Sequence, residues 1–98
     1  MTKDEKKYLF KVANLGCIIC YRNGYSDSPC EIHHIRGVGL GLGVRNNHYN
    51  VIGLCPEHHR GNTGYHGMGR KAFERKYEVT ENELLEQVKE LLNEKDED

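Results

Sequence analysis

Two short gaps constrain this chain more than any other feature: Cys17-Ile-Ile-Cys20 and Cys55-Pro-Glu-His58, with thirty-four residues between them. Each gap lets a tight turn aim two donors at one point, and thiolates with an imidazole suit a tetrahedral zinc. An ion held there ties the end of an N-terminal helix to a later strand, which supplies stability that the rest of the sequence is short of. The chain has 98 residues, an apolar fraction of 37%, eleven glycines, no tryptophan and a mean hydropathy of -0.77. Burial alone is thin support for such a domain. The opening MTKDEKKYLF is not a secretory signal and no apolar run nears the roughly twenty residues that cross a membrane. A cytoplasmic location without membrane association is therefore expected, where thiols stay reduced and bind metal in preference to pairing. Cys30-Glu-Ile-His33 repeats the gap, so Cys30 is either an alternative to His58 as fourth ligand or an ordinary buried thiol.

Around the half-sites the pattern predicts an α+β fold in one domain spanning 1–98. Thr2 with Glu5 forms a capping-box signature, followed by Tyr8, Leu9, Val12 and Ala13 at helical spacing, which predicts a helix over about 2–15. EIHHI and NVIGL are short β-branched runs that read as a hairpin, joined by the glycine-rich loop RGVGLGLGVRNNHY. No Lys-Ser/Thr follows those glycines, so a phosphate loop is not indicated. Pro56 is placed to open a short helix. GRKAFERKY and the Thr80/Glu83 capping box, with a stripe of Leu84, Leu85, Val88, Leu91 and Leu92, predict helices over about 69–94, fraying into NEKDED.

The net charge of -1 conceals a division along the chain. Residues 32–77 carry seven Lys and Arg against Glu57 and Glu74, net +5 with histidine neutral, whereas residues 78–98 carry nine acids against Lys89 and Lys95, net -7. A basic middle suits a polyanion. Arg36 and Arg45 at the ends of the glycine loop, and Arg60, Arg70 and Lys71 beyond the hairpin, are the candidate phosphate contacts. Ordinary solvated helix faces are the plainer reading of the same charges.

If Cys55 and His58 serve zinc, His59 is left over, and neighbours on a helical turn diverge by about a hundred degrees. His33 and His34, at the end of the first strand, are its natural partners. With Asn50 five residues before the zinc cysteine, this ordered set resembles the HNH, or His-Me finger, endonucleases. The resemblance implies a ββα-metal core over about 30–62 with a structural zinc. It further implies a metal-dependent DNA endonuclease in which His34 is the general base, Asn50 orients it, and His33 with His59 hold one catalytic divalent ion. Many members of that family have a carboxylate where His33 stands; an imidazole there favours Mn, Ni, Co or Zn over Mg. The runs CEIHHIRG, GLCPEHHRG and GYHG, with a Phe-Glu pair, are similar to phage recombination-enhancement nucleases that act with the RecA filament, which implies DNA and a recombinase filament as partners. The long basic N-terminal extension of that group is not expected here, so dependence on the filament stays open.

His66, in GNTGYHGMG, has three readings of equal standing: a ligand of the catalytic ion, a phosphate contact, or a turn residue. His48 reads as loop surface. No element looks built to read bases, so low sequence specificity is expected. A zinc-stapled module that binds nucleic acid or protein without catalysis explains the cysteines and the charge, but leaves three histidines without a task.

Overall fold

The computed structural model describes residues 1–35 and 48–97, with side chains up to residue 94. Arg36, Arg45 and the glycines of the predicted loop lie outside the described residues.

Helix α1 (Lys3–Leu15) begins at the predicted capping box, in which the Glu5 N–H donates to Thr2 Oγ1 at 3.1 Å and the Thr2 N–H donates to Glu5 Oε1 at 2.7 Å. Gly16 ends the helix at φ 90°, a left-handed conformation that costs glycine little. A short helix, α2 (Ile18–Arg22), follows where the sequence suggested a turn. Strands β1 (Glu31–His34) and β2 (Val51–Leu54) form an antiparallel pair in which His33 faces Ile52 and His34 faces Val51. The hairpin matches the predicted runs. Pro56 opens α3 (Pro56–Arg60) as expected, and α4 (Tyr65–Met68), α5 (Arg70–Tyr77) and α6 (Glu81–Glu97) complete the order. The whole is a small α+β arrangement of a two-stranded sheet and helices.

Every residue of β2 is buried, because α1, α2, α3 and α6 all pack against it. β1 has this protection at His33 alone. The core draws Val12 and Leu15 from α1, Ile18 and Ile19 from α2, Phe73 from α5, and Leu84, Leu85, Val88 and Leu92 from α6. At roughly 1.5–3 kcal/mol for each such side chain, the α6 stripe is a main source of burial energy. The acidic C-terminal segment is accordingly a packed helix with charges on its outer face, running further than the expected fraying point. No helix among the described residues is long and apolar enough to cross a membrane.

One close approach decides where the first cysteine half-site sits. A Cβ on Gly53 in β2 would lie 2.5 Å from the Gly16 carbonyl oxygen and 2.7 Å from Cys30 Sγ, so only a bare backbone lets the end of α1 rest directly on the strand.

Candidate functional site

The two half-sites prove to be the same piece of local structure. Cys17 caps α2, its Sγ accepting from the Cys20 N–H at 3.4 Å, and Cys55 caps α3, its Sγ accepting from the His58 N–H at 3.5 Å. In each, the second donor residue is three positions on, one helical turn above the capping thiol. Both caps converge, so that donor atoms of Cys17, Cys20, Cys55 and His58 all lie within 4.8 Å of one another. The His58 Nδ1 is 3.5 Å from Cys17 Sγ, 3.6 Å from Cys20 Sγ and 3.1 Å from Cys55 Sγ, with Cys20 and Cys55 sulfurs 3.9 Å apart. A zinc tetrahedron with bonds of about 2.3 Å to sulfur and about 2.0 Å to nitrogen has edges of about 3.8 Å and 3.5 Å, so the donor set fits such an ion. Burial pushes the Cys17 thiol up to about 12, and desolvation holds His58 below the ordinary imidazole value. A neutral imidazole is ligand-ready, and a cation bound at the sulfur would displace the thiol proton. Cys30 stands outside the group, its thiol donating to the Ala13 carbonyl at 3.7 Å. The cluster therefore contains His58, not Cys30.

His59, the next residue, faces a different centre. Its ring lies with those of His33 and His66, at centroid separations of 5.2 Å to His33 and 4.8 Å to His66, and donor atoms of all three fall within 4.8 Å. Two carboxylates brace these rings. Glu31, on the same face of β1 as His33, accepts from His59 Nδ1 at 2.8 Å, which assigns the proton to that nitrogen and leaves the Nε2 lone pair available. Glu31 also takes both oxygens to Arg60 Nε, at 3.2 and 3.1 Å, and its carboxyl is held below the usual range by His59 first and Arg60 after it. Glu81, only 5% exposed at the start of α6, accepts from His33 Nε2 at 3.1 Å and from the Tyr65 hydroxyl at 3.0 Å. Desolvation, with the like charges that His59 and His33 would carry, keeps His66 below the ordinary imidazole value, again on the neutral side.

His33, His59, His66, Tyr65 and Glu81 line a cleft of about 440 Å³ together with His34 and Arg70. His34 Nε2 lies 3.1 Å from His48 Nδ1, so His48 meets a histidine of the cleft instead of standing on open surface. Asn50 gives its main-chain carbonyl to the Ile35 N–H at 2.9 Å, and among the described residues no side-chain hydrogen bond joins it to His34. Arg70 and Lys71 are exposed, whereas Arg60 is engaged by Glu31. The cleft thus collects His33, His34, His59, His66 and Arg70 from the expected residues. Asn50 sits at the strand's end. Glu31, Glu81 and Tyr65 were not foreseen; the one sequence signal for Glu31 is its two-residue spacing from His33 on a strand.

The centres touch through aromatic rings. His58 packs edge-on to Tyr77 at 5.5 Å, Tyr77 to Phe73 at 4.8 Å, Phe73 to Tyr65 at 5.7 Å, and Tyr65 to His33 at 4.4 Å. The two clusters use separate donors and share one packed support.

A closed sulfur-rich tetrahedron is architectural chemistry; three imidazoles in an open cleft leave positions for water and an anion. A family model described as "Recombination enhancement, RecA-dependent nuclease" matches residues 1–93. No curated protein matches the chain.

Proposed function

The chain belongs to the recombination-enhancement, RecA-dependent nuclease family, and from that premise we propose that it is a DNA endonuclease of the HNH, or ββα-metal, type acting as one domain over 1–98. The observation that carries this reading is the grouping of His33, His59 and His66 in a cleft that also holds His34, next to a separate cluster fit for zinc. The chain order β1, β2, α3, with β1 and α3 both giving histidines to the cleft, supports the ββα-metal reading.

His33 and His59 would hold the catalytic divalent ion, with His66 as a third donor. When bound, such an ion neutralises charge on the scissile phosphate and on the leaving oxygen. The protein's own groups do the rest. His34 takes a proton from the water whose oxygen attacks phosphorus; the bond from phosphorus to the leaving oxygen breaks, and solvent protonates that oxygen. An imidazole with an ordinary pKa of about 6.5 accepts a proton near neutrality. Asn50 orients the base in this scheme, and the 3.1 Å contact makes His48 a second candidate for that task. Glu31 and Glu81 keep the ligand rings in one orientation. Arg70 in the cleft, with Lys71, Arg75 and Lys76 on the same helix, meets backbone phosphates, and binding weakens as salt rises. Contacts of this kind do not read bases, so sequence preference is low. DNA and a recombinase filament are the partners the family description suggests, and a cytosolic setting is part of the same proposal.

Plasmid incubated with the zinc-loaded protein and Mn or Mg is the test. Nicking or cutting by the parent, reduced at least a hundredfold in His34→Ala with zinc content and fold retained, is the expected result. Equal silence from both proteins under several ions and substrates, including DNA within a recombinase filament, favours a non-catalytic zinc module.

A further inference from the structure

The two carboxylates that brace the second centre accept from opposite nitrogens of their rings. Glu31 takes the N–H at His59 Nδ1, at 2.8 Å, whereas Glu81 takes the N–H at His33 Nε2, at 3.1 Å. A carboxylate only accepts, so the ring nitrogen that faces it carries the proton and the other carries the lone pair. His59 therefore offers Nε2 to an ion. His33 offers Nδ1, the nitrogen nearer the main chain. With donor atoms of His33, His59 and His66 all within 4.8 Å of one another, one ion can take both.

The braces also differ in what holds them. Glu31, with its side chain 34% exposed, is steadied by Arg60 Nε. Glu81 is 5% exposed, and among the described residues no Lys or Arg pairs with it. Its other oxygen, Oε1, accepts from the Tyr65 hydroxyl at 3.0 Å. Its main chain is anchored as well: the Glu81 N–H, at the first residue of α6, donates to Glu74 Oε2 at 2.8 Å. A buried acceptor that loses its donor costs free energy. Without the phenolic hydroxyl, Glu81 turns toward another donor or draws in water, and either movement displaces the oxygen that fixes His33. The Tyr65 ring has a separate task. It packs 4.4 Å from the His33 ring, 5.1 Å from His66 and 5.7 Å from Phe73. Removing the hydroxyl alone leaves that packing in place.

We propose that Tyr65 is a positioning residue of the second centre: through Glu81 its hydroxyl keeps the proton on His33 Nε2, so that a divalent transition ion is held by His33 Nδ1 together with His59 Nε2. This deepens the nuclease reading, on which it rests for the task of the ion, by naming the ligand atoms and the residue that selects one of them.

Protein carrying one equivalent of zinc, with its histidines labelled with nitrogen-15, is titrated with further zinc in the absence of DNA. Long-range proton–nitrogen correlation spectra distinguish a protonated ring nitrogen from a metal-bound one. The second equivalent must bind His33 at Nδ1 and His59 at Nε2, with the proton retained on His33 Nε2. Tyr65→Phe, checked for an unchanged melting curve and one retained zinc, should bind the second equivalent about tenfold more weakly, the low end of the effect of losing an outer partner. Tyr77→Phe is the control, because that hydroxyl donates to the Thr63 carbonyl instead and its loss should leave the affinity at the parent value. Ligation through His33 Nε2, an unchanged affinity in Tyr65→Phe, an equal loss in both variants, or no binding of a second equivalent overturns the proposal. Should Tyr65→Phe not fold, the spectra of the parent decide alone. Plasmid cleavage with Mn or Mg, measured alongside, separates the two ideas. The expected ligation without cleavage removes the nuclease reading and keeps the positioning role, and cleavage with ligation through His33 Nε2 does the reverse.

Discussion

Adjacent histidines at 58 and 59 end in different centres because a helical step turns the side chain by about a hundred degrees while advancing it little. That divergence is legible from sequence, since Cys55 sets where residue 58 must point. The braces of the second centre are not. Glu81 reads as an ordinary first-turn acid beside a capping box, and its contact with His33 spans forty-eight residues. Nothing local signals it. The same holds for Tyr65, whose hydroxyl makes the other hydrogen bond to that carboxylate. An outer carboxylate fixes a ligand ring and raises its basicity, and its loss typically costs about 10–100-fold in ion affinity or activity. Glu81→Gln should therefore raise the Mn concentration for half-maximal cleavage by about that factor while zinc content stays at the parent level. An unchanged Mn titration would show that Glu81 serves packing alone.

Among the elements, the short helices hold the most function per residue. α2 and α3 are single turns capped by thiols of the Cys-His cluster, so a cap and a candidate metal donor are one group. A helix of five residues has little stability of its own; convergence on shared donors is what keeps both in place. α4 escaped the sequence reading because GNTGYHGMG carries four glycines and no apolar period. Its position depends on contact with α3: a Cβ on Gly67 would collide with the Gly61 carbonyl, and this closeness brings His66 against His59. Gly53 plays the matching part on the zinc side. Gly53→Ala would push the Gly16 turn and Cys30 off the strand, and overpacking of this kind costs about 1–3 kcal/mol. A lowered urea midpoint with an unchanged slope is the expected outcome; an unchanged midpoint would mean the end of α1 yields freely.

At the scale of the molecule, one small core and one Cys-His cluster fit for a metal ion support an open cleft. Phe73, fully buried, packs on Tyr77 behind His58 and on Tyr65 behind His33, so disturbance of the sulfur-rich centre reaches the other through packed rings. Structural zinc contributes on the order of 10 kcal/mol in small metal domains, comparable with the total stability of a chain this size. Removing zinc should thus unfold the protein, not merely silence it. Cys20→Ser should lose its cooperative melting transition by circular dichroism, while His59→Ala keeps it. Retention of the parent transition in zinc-free protein would refute a stabilising role for that cluster. The amino-acid order alone determined the paired donor gaps, the capped terminal helices and the hairpin, since each is set by neighbours within a turn or by strand alternation. Tertiary structure alone decided that His58 and not Cys30 completes the first cluster, that His66 joins His33 and His59, and that Glu31 and Glu81 hold those rings. Those pairings depend on how distant segments pack around β2, where burial and close contact between backbones choose partners that no local rule names.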